Sequence, residues 1–292
     1  MFGRKKNKIR PEPMDSFAEP SATIVRKVPE LTTLARTATG NRQYQQDALY
    51  VSKSKRLAAN KKTRVLAMVC DGMGGMADGG RASHTAIQMM AQGFQKVEKM
   101  PDLDIPRFFQ QGIYAIDRTI AEFPKEDGKG SGTTMVACIA EDNRLYWASV
   151  GDSRIYIIRG TQIQQVTRDH NYKFRLDEMV AAGQISREEA AAARHQEALI
   201  SFLGMGNVSL MDINTTPFEM QFGDVIMLCS DGITKTLPDS QIRQIITADA
   251  VKPEQKAEAL IEAAIHANTH SQDNTSVVLL CYQEKDIKSP CG

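Results

Sequence analysis

Apolar residues fall into two rhythms along this chain, one of period two and one of period 3.6. Thr63–Cys70 (TRVLAMVC) is a β-rich run that stops at Asp71-Gly72-Met73-Gly74-Gly75, where only a turn fits. Ala82, Ala86, Met89, Met90, Phe94 and Val97 then recur at helical spacing and predict a helix over 80–98. A second helix is expected over 105–122, ending before Pro124. Thr133–Ala140, Arg144–Val150 and Ser153–Arg159 are short apolar runs divided by Asp142-Asn143 and Gly151-Asp152, the pattern of an antiparallel meander. Residues 172–194 read as helical with a break at Gly183-Gln184 and Ser186 as N-cap. Thr215–Gln221, Asp224–Cys229 and Ser276–Cys281 read as further strands. Helices are expected at 238–247 and 253–268, the latter opened by Pro253. Strands neighbour strands and helices neighbour helices, so the expected class is α+β rather than a doubly wound βαβ fold. No internal repeat is present.

The rhythm is absent before residue 31. Arg4, Lys5, Lys6, Lys8 and Arg10 cluster there and prolines recur at 11, 13, 20 and 29, so residues 1–30 are expected to be a flexible basic tail. A solvated extension is the favoured reading. A weak tether through residues 1–10 to an acidic membrane surface or acidic partner is the sharper one. A globular domain is expected over 31–284, with a short C-terminal tail at 285–292.

Composition narrows the partners. The 292 residues carry 36 basic and 35 acidic side chains, a net charge of +1, which supplies no electrostatic ground for a nucleic-acid partner. No apolar stretch approaches the ~20 residues of a membrane span, and the basic N-terminus lacks the apolar segment of a secretory signal. Five cysteines (70, 138, 229, 281 and 291) form no C-x-x-C pair, and four sit in or beside apolar runs. They are expected to be buried and inert, in a reducing cytoplasm.

Three aspartates share a context. Asp71 follows VLAMVC, Asp231 follows DVIMLCS, and Asp273 precedes Asn-Thr-Ser and the run VVLLCY. Each carboxylate therefore stands at the end of an apolar strand, where an unpaired charge is costly. It must pair with a cation, accept backbone hydrogen bonds or meet a metal. Asp before Gly or Asn also commonly closes a turn by itself. Taken together, with no basic residue adjoining any of the three, they point to a hard-cation site; all-oxygen ligands favour Mg²⁺ or Mn²⁺ over zinc. Residue chemistry alone leaves the purpose of that site open.

Six segments in order carry a family resemblance: GNRQYQQD (40–47), DGMGG (71–75), SGTT (131–134), GDSR (151–154), SDGI (230–233) and DNTS (273–276). Over roughly 31–282 the chain resembles the metal-dependent type 2C serine/threonine protein phosphatases in their bacterial form. The resemblance implies a four-layer α-β-β-α sandwich of two antiparallel sheets flanked by helices, with a binuclear Mn²⁺ or Mg²⁺ centre at one end. Asp71 would bridge both metals and Gly72 would offer its backbone carbonyl. Asp231 and Asp273 would hold the second metal, Asp47 would act through a water, and Asp152 matches the position of a third, weaker metal. Arg42 would grip the substrate phosphate, a task that suits a planar guanidinium. The implied activity is hydrolysis of phosphoserine and phosphothreonine in proteins by an activated water, opposing a cognate bacterial Ser/Thr kinase on that kinase or its substrates.

The chain departs from the family pattern in four places. Gln45 stands where Asn is usual and Gln46 where Glu is frequent. Met73 and Met76 occupy positions that carry a histidine in eukaryotic and in some bacterial members, which leaves the leaving-group proton donor unassigned. Finally, the helical flap expected over 167–205, opened by Asp169-His170, ends in RHQEALISFLG instead of an Arg-rich stretch. Substrate choice is expected to lie there, with His170 and His195 structural or solvent-facing. A regulatory binding module on the same fold is the alternative reading, but Arg42, Asp71, Asp231 and Asp273 are all retained. Hydrolysis of small phosphoesters is a third.

Overall fold

A computed structural model describes residues 23–53, 55–56, 63–74, 78–125, 128, 130–268 and 270–290, without the side chains of 23–26, 55–56, 63 and 286–290. In chain order the strands are β1 (Thr23–Ala38), β2 (Asp47–Val51), β3 (Lys55–Arg56), β4 (Thr63–Met73), β5 (Gly132–Thr133), β6 (Met135–Glu141), β7 (Arg144–Val150), β8 (Arg154–Arg159), β9 (Gln162–Gln165), β10 (Asp212–Ile213), β11 (Phe218–Glu219), β12 (Val225–Cys229) and β13 (Thr275–Pro290). The helices are α1 (Asp78–Val97), α2 (Ile105–Ala121), α3 (Tyr172–Ala181), α4 (Arg187–Ala192), α5 (Asp231–Thr234), α6 (Asp239–Thr247) and α7 (Lys256–Ala267).

Two sheets form. The smaller runs β1-β13-β12-β8-β9; the larger runs β10-β7-β6-β4-β2, with β11 on β7 and with β3 and β5 on β4. Successive strand side chains point to opposite faces, and both faces of the central strands β4, β6, β12 and the start of β13 are apolar. Val65, Ala67 and Val69 of β4 meet Ile226 and Leu228 of β12 and Val278 and Leu280 of β13 between the sheets. The alternate residues Leu66, Met68 and Cys70 pack under Ala82, Ala86, Met90 and Phe94 of α1 and under the Ile113 and Ile116 face of α2. On the far side, Met227, Cys229, Val277 and Leu279 pack against Ile242 of α6 and Leu260 and Ala264 of α7. Three apolar cores thus separate four layers, the expected α-β-β-α sandwich. Each large side chain buried in them contributes about 1.5–3 kcal/mol against exposure.

Several boundaries differ from the sequence expectation. Among the described residues, regular structure is already present from Thr23, inside the segment read as a tail, and β13 continues to Pro290, past the expected C-terminal boundary. Pro29 masked the strand, yet β1 lies at a sheet edge, where proline is admitted because an edge strand leaves half of its N–H groups outside the ladder. The ends of these strands, residues 23–28 and 284–290, belong to a unit of their own, in which Lys27 and Glu284 pair at 2.9 Å. The basic residues 4–10, Met76 and Cys291 lie outside the described residues. The strand expected over Thr215–Gln221 shrinks to Phe218–Glu219, with Asp212–Ile213 pairing ahead of it. Between them Asn214 takes the ladder's place: Trp147 N donates to its Oδ1 at 2.6 Å, and Pro217 has no N–H to give.

Ser186 caps α4 as expected, with Glu189 N donating to Ser186 Oγ and Ser186 N donating to Glu189 Oε2, at 3.1 and 2.8 Å. Cys70, Cys138, Cys229 and Cys281 are buried free thiols, and burial pushes Cys138 and Cys229 up to about 12. Among the described residues, no helix is long and apolar enough to cross a membrane.

Candidate metal centre and active site

One end of the sandwich collects the acidic residues, for reasons of register. Asp47 opens β2 directly opposite Asp71 near the end of β4. Cys229 at the end of β12 pairs with Val277 near the start of β13, so Ser230-Asp231 and Asp273-Asn274 leave the smaller sheet side by side. Gly151-Asp152-Ser153 links β7 of one sheet to β8 of the other. An open cleft of about 520 Å³ lies here, lined by Arg42, Asp71, Asp152, Asp231, Lys235 and Asp273 among others.

The backbone around Asp71 is tightly held. Thr134 N and Thr133 Oγ1 both donate to Asp71 O at 2.9 Å, and Asp71 N donates to Thr134 Oγ1 at 3.0 Å. Gly72 N donates to Gln46 O at 3.1 Å. A Cβ on Gly72 would stand 2.1 Å from Gly79 O, so only glycine lets the start of α1 seat against this turn. Asn274 clasps the loop carrying Arg42: its Nδ2 donates to Thr39 O and Tyr44 O at 2.8 and 3.0 Å, and its Oδ1 accepts from Gln46 N at 2.7 Å.

The carboxylates crowd one another. Burial pushes Asp71 well above the ordinary carboxylate range, and Asp47, Asp231, Asp152 and Asp273 add to the shift. Asp47 is raised to about 7, again chiefly by burial, against the opposing hydrogen bond from Ser230. Asp152 rises to about 6 through burial and Asp231, with Lys235 opposing. Two cations answer this charge. Arg42 Nη2 donates to Asp273 Oδ2 at 2.7 Å, and Lys235 Nζ donates to Asp231 Oδ2. Asp47 Oδ1 and Asp231 Oδ1 are buried with no hydrogen-bond partner. With Asp231 and Asp273 turned to these cations, no group of three or more Asp, Glu, His or Cys among the described residues stands arrayed around a single ion. The donor set nonetheless fits hard cations: anionic oxygens, two of them buried and unsatisfied.

The model of one family, Protein phosphatase 2C, matches residues 36–274. The chain belongs to that family. It is 30% identical over 232 residues to "Serine/threonine phosphatase stp" of Listeria monocytogenes, covering 78% of this chain and 87% of that protein. The Streptococcus agalactiae serine/threonine phosphatase has the same fold, with a TM-score of 0.74, 27% identity and coverage of 86% and 99% of the two chains. The catalytic domain of the serine/threonine phosphatase PstP, solved in complex with two manganese ions, superposes with a TM-score of 0.68 at 28% identity, covering 88% and 100%. This chain is thus an enzyme, a metal-dependent serine/threonine protein phosphatase.

Within this type 2C phosphatase the sequence-selected residues Arg42, Asp71, Gly72, Asp152, Asp231 and Asp273 all border the cleft, and Asp47 lies buried behind Asp71. Gln45 serves structure: its Oε1 accepts from Asp47 N at 2.9 Å and its Nε2 donates to Thr37 Oγ1 at 2.8 Å. Arg154 of the GDSR segment forks onto Asp169, at 2.9 and 2.6 Å, and so ties the meander to the segment that follows. His170 is fully buried, accepting from Gly151 N at 3.1 Å, and His195 is exposed; neither borders the cleft. Within 167–205, α3 and α4 sit back while Glu197, Leu199 and Phe202 reach the cleft. The Phe202 ring lies over Gly132, where a Cβ would stand 2.5 Å from it. Sequence reading overlooked Lys235. Its spacing of four from Asp231 on a helical turn was the available signal.

Proposed function

We propose that this phosphatase dephosphorylates phosphoserine and phosphothreonine in proteins at the cleft of Asp71, Asp231 and Asp273. The observation that carries the assignment is the pair of buried, unpartnered oxygens, Asp47 Oδ1 and Asp231 Oδ1, among mutually repelling carboxylates. Asp71 and the Gly72 carbonyl would hold one divalent cation, Asp71, Asp231 and Asp273 a second, and Asp152 a weaker third. Asp47 is the outer carboxylate that orients this set. Mn²⁺ or Mg²⁺ suits oxygen-only ligands. When bound, such cations acidify water and neutralise phosphoryl oxygens.

The chain's own residues supply the rest. Arg42, more than half exposed and reaching into the cleft, grips the phosphate dianion. The Ser230 hydroxyl fixes Asp47, and the Thr133-Thr134 bonds fix the backbone beneath Asp71. None of the four described thiols takes part, since all are buried and burial holds their protons on. Phosphorylated products of a cognate Ser/Thr kinase, or that kinase itself, are the proposed substrates, and four free buried thiols suit a reducing cytoplasm.

The test is Mn²⁺- and Mg²⁺-dependent phosphate release from a phosphothreonine peptide, with Asp231→Asn as control. Turnover abolished by both EDTA and the substitution is expected. Turnover that survives either would overturn the assignment of the site.

A further inference from the structure

Of the described residues bordering the cleft, Arg42 and Lys235 are the two basic ones. Each is held by a carboxylate that the proposed function gives to a cation. For Lys235 the backbone sets this up: Lys235 N donates to Asp231 O at 2.8 Å, closing the turn that places residue 235 over residue 231. Nζ then occupies Asp231 Oδ2 while Oδ1 stays buried without a partner. Asp231 therefore presents one oxygen ready for a cation and one already taken. The Lys235 side chain is 54% exposed, against 13% for Asp231, so the ammonium has room to swing away while the carboxylate stays put.

Resting on the reading above, we propose that Lys235 is a built-in competitor for the divalent cation at Asp231 and, once displaced, a second cationic contact for the substrate phosphate. A cation on Asp231 places like charge against Nζ and drives it off Oδ2. The freed ammonium remains on its four-carbon stem in the same cleft as Arg42, where a phosphate dianion carries more charge than the single carboxylates of Asp152 and Glu197 that also line it. Cation uptake thereby becomes coupled to phosphate capture.

The experiment is calorimetric titration of the full chain with Mn²⁺ and no substrate, for wild type, Lys235→Met and Lys235→Arg. It is paired with inhibition by inorganic phosphate at saturating Mn²⁺. Lys235→Met is expected to bind Mn²⁺ at least about fivefold more tightly, the lower end of ordinary coupling between sites. The same variant should be inhibited by phosphate severalfold more weakly, and Lys235→Arg should stay near wild type in both. If the Met variant fails to fold, Lys235→Gln carries the same expectations. Mn²⁺ affinity within twofold of wild type, or unchanged phosphate inhibition, overturns the proposal while wild type still binds Mn²⁺ and turns over. A wild type that binds no Mn²⁺ overturns the reading of the site together with it.

Discussion

Ser230 Oγ donates to Asp47 Oδ2 at 2.7 Å across 183 residues of sequence, while the other oxygen of Asp47 lies buried with no partner. Burial raises this carboxyl from 3.8 to about 7. A carboxyl raised in the fold favours folding while protonated. Its contribution is complete below about pH 4 and is lost as pH rises through about 7. Divalent cations need the ionised form, so protons and cations compete there. In EDTA, Tm should fall as pH rises from 5 to 8, and the stabilisation by Mn²⁺ should grow over the same interval. A Mn²⁺ effect that is flat with pH would contradict this account of Asp47. Ser230→Ala removes the larger of the two hydrogen bonds, from Ser230 and Ser276, that favour ionisation and should weaken Mn²⁺ binding more at pH 6.5 than at pH 8.

Arg42→Ala should cost transition-state binding more than fold stability, since the side chain is mostly exposed and anchors only to Asp273. Hydrogen bonds to a charged group are worth about 1.5–3 kcal/mol, which is roughly 10- to 150-fold in kcat/KM. Kinetics on a phosphothreonine peptide, with unfolding measured alongside, separate the two effects. An unchanged kcat/KM would remove Arg42 from the phosphate site.

Gly72→Ala places a methyl 2.1 Å from Gly79 O and 2.6 Å from Gln46 O, both backbone atoms that cannot rotate away. The expected cost is about 1–3 kcal/mol or more, together with loss of activity, because the start of α1 must retreat from the Asp71 turn. Urea unfolding measures the first and turnover the second. A stable, fully active Gly72→Ala enzyme would show that α1 is not seated against this turn.

Asn274→Ala deletes three hydrogen bonds that hold residues 39–46. A stability loss of about 1–3 kcal/mol is expected from the groups left unpaired. The loop carrying Arg42 loosens as well, so KM for a phosphopeptide should rise more than kcat falls. Equal losses in a variant with native stability would argue that Asn274 acts on the chemistry itself.

Much of this architecture is legible in one dimension because two local rules act without knowledge of the partner. Val65, Ala67 and Val69 alternate with Leu66, Met68 and Cys70, so β4 reads as buried on both faces wherever it packs. The Ala82–Phe94 spacing marks the stripe of α1 that must be covered. Ser186 and Glu189 announce a helix start by chemistry internal to four residues. The three aspartates at the ends of apolar runs likewise marked one site before any pairing was known.

Sequence was silent wherever an element's fate depended on a distant strand. Pro29 disguised β1 because its tolerance rests on lying at a sheet edge. Asn214 displaced an expected strand because its side chain reached Trp147, 67 residues away. Alternation, helical period and capping are determined by the sequence itself, since each balances backbone hydrogen bonding and apolar burial within a few neighbours. The distribution of cations is not. Arg42 falls to Asp273 across 231 residues, and Lys235, only four residues from Asp231, counts as a cleft residue because the fold turns α5 toward Asp71 and Asp152. Charge acts through space rather than along the chain, so the tertiary structure alone decided which carboxylates are satisfied and which oxygens are left without a partner.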